Sequence, residues 1–197
     1  MEINGEKRRI GVDIDDVIFP FMANFLNYLN KKNATSYSFE EVTNYHLWKM
    51  GIHKSKEEDI LVALEFQNSI KFDNINPIEG TKEVIEEISE DYDIFFITSR
   101  SEDIKDKTNT FLNRHFPKNG FKVFHSGDVY GKNLSKTDIC KELKISLMIE
   151  DNAEYAYDLA KNGVKVFLLD KPWNKEYVRH ENIIKVNELN EVLEKLK

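Results

Sequence analysis

The chain lacks several things, and each absence removes a class of function. Cys140 is the only cysteine among 197 residues. That leaves no intramolecular disulfide and no thiolate metal cluster, as in a reducing compartment. No apolar run approaches the roughly 18 residues needed to span a bilayer. The first residues are polar and charged, without the apolar stretch of a secretory leader, so a cytoplasmic location is expected. Apart from Lys7-Arg8-Arg9 there is no basic block, and the formal net charge is −7. A surface dedicated to duplex nucleic acid is therefore not expected, although a few local cations would still hold a small anion. No G-x-G-x-x-G follows an apolar run, which disfavours a dinucleotide fold, and there is no glycine-rich lysine loop. Repeats and low-complexity segments are missing too. Hydrophobic residues make up 41% and charged residues 32%, a mix that argues against disorder over most of the chain. The length suits one domain with a modest insertion.

The informative stretch is Ile10-Gly11-Val12-Asp13-Ile14-Asp15-Asp16-Val17-Ile18. A β-branched apolar run reads as a buried strand, and it ends in Asp13, Asp15 and Asp16. Parallel α/β sheets place their chemistry at the carboxyl ends of strands. In an extended chain Asp13 and Asp15 would point to opposite faces, whereas a turn starting at Asp13 brings both toward one site. Like charges gathered there need a cation, and a hard, oxygen-liganded ion such as Mg²⁺ fits. The plainer reading is an acidic turn that closes a strand and caps the next helix.

From Pro20 to about Asn74 the pattern is helices and loops with no convincing strand. Phe21, Phe25, Tyr28 and Leu29 recur at helical spacing, Ser38 and Glu41 form a capping-box pair, and Ile60, Leu61 and Leu64 mark a second helix. The segment is rich in aromatics, which are expected to form a small core with a few rings facing the acidic turn. Thr81 is expected to cap a helix carrying Val84, Ile85 and Ile88. Four more strands are expected, at Ile94–Ile97, Phe121–His125, Leu147–Ile149 and Val164–Leu169, separated by helices. A Ser126-Gly127-Asp128 turn follows the second of these. A last helix should run from roughly Val186 to Leu196. Strands alternating with helices imply an open parallel sheet with helices on both faces. Polar groups fall just after three of its strands: Asp13/Asp15, Thr98/Ser99/Arg100 and Glu150/Asp151.

These residues, in this order, resemble the haloacid dehalogenase-like phosphohydrolase superfamily. Asp13-Ile14-Asp15 looks like its Asp-x-Asp motif, Thr98 like its second motif, Lys136 like its lysine, and Glu150-Asp151 like its acidic fourth motif. Lys132 is an alternative to Lys136. The Thr98-Ser99-Arg100 turn, the helical insertion and Asp170-Lys171-Pro172-Trp173-Asn174 are similar to the 5′(3′)-deoxyribonucleotidase-like group. The usual glycine after the second Asp of the first motif is replaced here by Asp16. The resemblance implies an α/β, Rossmann-like core over residues 1–19 and 75–197, with a small helical cap over 20–74. It implies a Mg²⁺-dependent phosphatase, a 5′-nucleotidase acting on nucleoside monophosphates. Its partner would be a small phosphorylated substrate rather than duplex nucleic acid or a membrane, with a homodimer left open.

Chemistry and resemblance together suggest roles. Asp13 would be the nucleophile, forming an aspartyl-phosphate, and Asp15 the acid and then the base. Mg²⁺ would be held by Asp13, the Asp15 carbonyl and Asp151, with Glu150 acting through a water. Thr98, Ser99, Arg100 and Lys136 would bind phosphate. The plainer alternatives are that Thr98, Ser99 and Asp151-Asn152 merely cap helices and that Lys136 is a solvated first-turn lysine. Phe19, Tyr45 and Trp48 are the candidates for stacking on a nucleobase. Competing readings are a phosphatase of sugar phosphates or another small ester, a phospho-accepting receiver-like module, and a silent binding domain that kept the fold.

Overall fold

The computed structural model describes residues 7–117, 121–127 and 134–197. Lys132 and the Asp128 end of the expected turn lie outside them. The apolar run at Ile10–Val12 is the inner part of strand β1 (Arg8–Val12), and Ile10 and Val12 have no exposed surface. A strand this apolar belongs inside a parallel sheet covered on both faces. It pairs in parallel with β2 (Tyr92–Thr98) on one side and β4 (Leu147–Glu150) on the other. With β3 (Lys122–His125), β5 (Lys165–Leu169) and β6 (Ile183–Val186), the described residues form a six-stranded, all-parallel sheet in the order β3-β2-β1-β4-β5-β6. The chain runs outward from β1 through β2 to β3, then returns to the other side of β1 for β4. Between β1 and β4 the strand order therefore reverses, and such switch points open a crevice at the carboxyl ends of the strands.

Alternate residues of the strands feed two separate cores, as the period of two requires. Ile10, Val12, Ile94, Phe96, Ile149 and Phe167 join one, with helices α4 (Thr81–Asp91), α5 (Lys105–His115) and α8 (Leu189–Leu196). Phe95, Ile97, Met148, Val166 and Leu168 join the other, with α6 (Lys136–Glu142) and α7 (Ala153–Lys161). The expected open sheet with helices on both faces is therefore present.

Residues 20–74 contain α1 (Phe21–Asn33), 3₁₀ turns at Phe39–Glu41 and Leu47–Met50, α2 (Lys56–Gln67) and the short α3 (Ile70–Asp73), with no strand. Their aromatic residues form a core, as expected: the Phe66 ring lies 5.5 Å from Phe25 and 5.6 Å from Phe72. Phe72 in turn meets Phe19 at 4.8 Å, which joins this core to the one on that face of the sheet.

Three local expectations need correction. The stretch Ile183–Val186 is a sixth strand, and α8 starts only at Leu189. It is a four-residue edge strand paired on one side only, too short to show a period. Thr81 does not cap α4 by accepting from it; its hydroxyl donates to the Ile78 carbonyl (2.6 Å), and Gly80, at φ +76°, makes the turn. Leu61 is exposed on α2, whereas Phe66 and Gln67 are buried. Among the described residues no helix is long and apolar enough to cross a membrane.

Candidate active site

The chain turns sharply as it leaves β1. The Asp13 amide donates to the Ile149 carbonyl (3.0 Å) and extends the sheet by one step. The amides of Ile18 and Phe19 then both donate to the Ile14 carbonyl (3.0 and 2.9 Å), closing a tight loop. Asp16 sits in that loop at φ +56°, the left-handed region where a glycine would be least strained and Asp is better tolerated than most. Its carboxylate accepts from the Met22 amide (3.1 and 3.2 Å), covering one of the open donors at the start of α1. The expected capping function is real, and it belongs to Asp16 rather than to Asp13 or Asp15.

Asp13 and Asp15 are thereby separated in role. Asp13 is buried beside Lys136, with its Oδ1 2.9 Å from Nζ. Lys136, in the first turn of α6, is 2% exposed and also donates to Glu150 Oε2 (2.8 Å). A solvated lysine is thus ruled out. Burial alone would lower the Lys136 pKa, but the carboxylates of Asp13 and Glu150 outweigh it and raise it above the ordinary value. Glu150 Oε1 meanwhile accepts from the amides of Asp151 and Asn152 (3.2 Å each). The Asn152 side chain caps α7, as the plainer reading held, yet Asp151 points elsewhere.

Asp13, Glu150 and Asp151 each offer an oxygen, and the three lie within 4.8 Å of one another. Asp13 Oδ1 is buried without a hydrogen bond despite the nearby ammonium. Three hard oxygen donors, one of them orphaned, fit a divalent cation of the Mg²⁺ type. The Asp15 carboxylate is not in this set.

Asp15 instead faces Arg100. The guanidinium donates to Asp15 through Nη2 (2.6 Å to Oδ1) and Nε (3.0 Å to Oδ2), a two-pronged ion pair. Nη1 donates to Thr108 Oγ1 (3.2 Å), and the rings of Phe19 and Phe72 lie 4.4 and 5.0 Å from the guanidinium carbon. Arg100 is expected to reach the phosphate or the leaving group; its side chain is fully buried and bonded to Asp15 and Thr108. Phe19, expected to stack on a base, packs under this guanidinium with no exposed surface. Thr98, at the end of β2, is also fully buried, and its Oγ1 accepts from the Arg100 amide (3.2 Å).

A cleft opens over Asp15, Ser99 and Arg100. Residues 20–74 also line it, with Phe21, Phe25, Tyr45, Asp59 and Gln67 among others. Tyr45 is therefore the one of the three expected rings that lines it. Gln67 is buried, and its Oε1 has no partner. Sequence reading missed Gln67, because an isolated polar residue at a helix end carries no pattern.

Removing these carboxylates from water perturbs them. Burial is the main cause pushing Asp13 up to about 7; Lys136 opposes it, and Glu150 and Asp15 add to it. Burial and the Asp15 charge push Asp16 up to about 8, against Lys171 and the Met22 amide. Asp151 is raised well above the carboxylate range, by burial and then by Glu150. A carboxyl whose folded pKa exceeds its unfolded value stabilises the fold at low pH, and that stability is lost as pH rises through the folded pKa. Metal-free protein should therefore lose stability between about pH 5 and 8. The loss should come to a few kcal/mol, since each tenfold change in proton affinity is worth about 1.4 kcal/mol. The melting temperature would fall by roughly 5–10 °C. Thermal melts across that range in chelator check this, and a melting temperature that stays level or climbs would show that these groups ionise freely.

Comparison with known proteins agrees with this geometry. Residues 7–196 match the family model described as 5′ nucleotidase, deoxy (pyrimidine), cytosolic type C protein. A nucleotidase of Clostridium acetobutylicum is 28% identical over 191 residues, covering 95% of this chain and 92% of that one. A 5′(3′)-deoxyribonucleotidase of Bacillus subtilis is 25% identical over 196 residues, covering 96% and 99%. Among solved structures, a haloacid dehalogenase-like hydrolase of Streptococcus pneumoniae superposes with a TM-score of 0.65 at 13% identity, covering 97% of this chain and 99% of that one. The fold, the ordered acidic and basic groups at one crevice and the match along almost the whole chain converge: this protein belongs to the deoxy-(pyrimidine) cytosolic type C 5′ nucleotidase family of haloacid dehalogenase-like phosphohydrolases.

Proposed function

We propose that this chain is a Mg²⁺-dependent 5′-nucleotidase that hydrolyses (deoxy)nucleoside monophosphates through an aspartyl-phosphate. In this reading residues 1–19 and 75–197 are the catalytic core, and residues 20–74 are a cap that binds the leaving group. The observation that carries the reading is the cleft, which Asp15, Ser99 and Arg100 line together with Phe21, Phe25 and Tyr45. Aromatic walls suit a nucleobase, and the buried Gln67 amide suits its polar edge.

Asp13 attacks the phosphorus, and the bond from phosphorus to the nucleoside oxygen breaks. Asp15 gives that oxygen its proton. Arg100 holds the Asp15 carboxyl in place through its two-pronged contact. Asp15 then takes a proton from the water that attacks the aspartyl-phosphate, freeing phosphate and regenerating Asp13. Lys136 offsets the charge of Asp13 and of the phosphoryl group, and the hydroxyls of Thr98 and Ser99 donate to phosphate oxygens. Asp13, the Asp15 carbonyl and Asp151 would hold Mg²⁺, with Glu150 acting through a water. When bound, the ion supplies neutralisation of the charge spread over the transferring group.

The test is a phosphatase panel of deoxynucleoside monophosphates, sugar phosphates and an aryl phosphate. Nucleotides should be preferred, and excess EDTA should abolish turnover of every substrate. Tyr45→Leu should raise KM for a nucleotide about tenfold, the worth of part of one stacked base, and change the aryl phosphate less. A preference for sugar phosphates, or an unaltered nucleotide KM in Tyr45→Leu, would count against the nucleotide reading. Full activity in EDTA would count against the metal.

A further inference from the structure

We propose that Trp173 is a positioning residue for the cation site, the group that ties the helical insertion to the carboxylate of Asp151. The inference rests on the metal-dependent reading above. Its substance is a chain of contacts that runs from the insertion to the metal cluster through one indole ring.

The segment Pro172–Asn174 forms a single 3₁₀ turn after β5, and its side chains point back to the end of β4. Trp173 Nε1 donates to Asp151 Oδ2 at 2.8 Å. The Asn174 amide donates to the Asp151 carbonyl (2.6 Å) and to the Leu169 carbonyl (2.7 Å). Asp151 is thus gripped at its backbone by one neighbour and at its carboxylate by the other. The indole occupies Oδ2, so Oδ1 is the oxygen left to a cation. A donor placed on the second oxygen of a ligating carboxylate fixes its orientation, and loss of such a partner typically costs 10–100-fold in metal affinity.

The ring has a second set of neighbours. Phe39 meets it edge-on at 5.3 Å and Tyr45 at 5.9 Å, both from the insertion. Trp173 is 8% exposed. Its N–H is buried against a carboxylate, and its ring meets Phe39 and Tyr45, the latter a residue that lines the cleft. A purely apolar filler at this place would need no N–H, and a surface tryptophan would need no carboxylate. The combination makes the indole a rigid strut: the insertion sets the ring, and the ring sets Asp151.

Trp173→Phe keeps an aromatic ring beside Phe39 and Tyr45 and removes the donor together with the five-membered ring. Mg²⁺ affinity is measured by calorimetry on protein stripped with chelator, without substrate, alongside the melting temperature of the metal-free form. The expected result is a dissociation constant raised about 10-fold or more, with a metal-free melting temperature close to the parent's. An unchanged dissociation constant would overturn the proposal. Should Trp173→Phe fail to fold, the parent itself decides. The chain has two tryptophans, so Trp48→Phe leaves a single indole N–H resonance. Titration with Mg²⁺ should shift that resonance in step with binding, and a resonance indifferent to saturating Mg²⁺ would also overturn the strut. Failure of Mg²⁺ to bind the parent at all would instead refute the metal-dependent reading on which the inference stands.

Discussion

Asp13→Asn is expected to lower kcat by about 10⁴-fold or more while leaving the protein folded. The amide has no charged oxygen with which to attack phosphorus, and losing a nucleophile is among the largest single effects an enzyme shows. The fold should tolerate the change. Asp13 is a buried carboxyl pushed up to about 7 by burial and by Glu150 and Asp15, so its ionised form is a burden above that pH. Removing the charge relieves it, and Lys136 keeps its hydrogen bond to Glu150. The melting temperature of metal-free Asp13→Asn at pH 8 should therefore equal or exceed the parent's. Loss of activity together with a collapsed melting temperature would show misfolding instead of a missing nucleophile. Asp15→Asn makes the complementary case. The nucleophile remains but the base is gone, so a phospho-enzyme should accumulate with an activated substrate such as an aryl phosphate. Labelled phosphate retained on Asp15→Asn but not on Asp13→Asn separates the two roles. In a receiver-like module, Asp15→Asn would leave dephosphorylation largely intact.

Arg100→Met should destabilise the protein by about 3–5 kcal/mol, the usual cost of stranding one member of a buried ion pair. For a chain of this size that is a fall of roughly 10 °C in melting temperature. The Arg100 side chain has no exposed surface and that of Asp15 very little, so water cannot replace the lost guanidinium. Lysine would not substitute either, because a point charge cannot match the two-pronged contact. Asp15→Asn alone should also destabilise, since it strands the guanidinium. The double variant Arg100→Met/Asp15→Asn removes both charges and should recover much of the loss, because neutral replacement of a buried pair is far cheaper than breaking it. Melts of the two single variants and the double form a cycle that isolates the pair. If Arg100→Met melts within about 2 °C of the parent, or if the three losses simply add, the pair is not coupled as its distances indicate.

Much of this molecule was legible in the order of its residues. Burial of strands on both faces of a parallel sheet writes continuous apolar runs into the chain, and the four inner strands show it. The polar residues that end Ile10–Val12, Ile94–Ile97 and Leu147–Ile149 then had to meet at one crevice, because parallel strands align their carboxyl ends. That single constraint brings Asp13, Thr98 and Glu150-Asp151 together whatever the details of packing. Tertiary structure decided the partnerships. Spacing alone could not tell that Arg100 would turn inward to Asp15, 85 residues away. It could not tell that Lys136 would be buried between Asp13 and Glu150, or that Phe19 would pack beneath a guanidinium while Tyr45 faced the cleft. Nor could it find Trp173 on Asp151, a contact that crosses 22 positions. Periodicity reports which face of its own element a side chain occupies. Which charge lies opposite, and which carboxylate keeps an oxygen free, depends on how separate elements pack, and that is settled only when the chain has closed on itself.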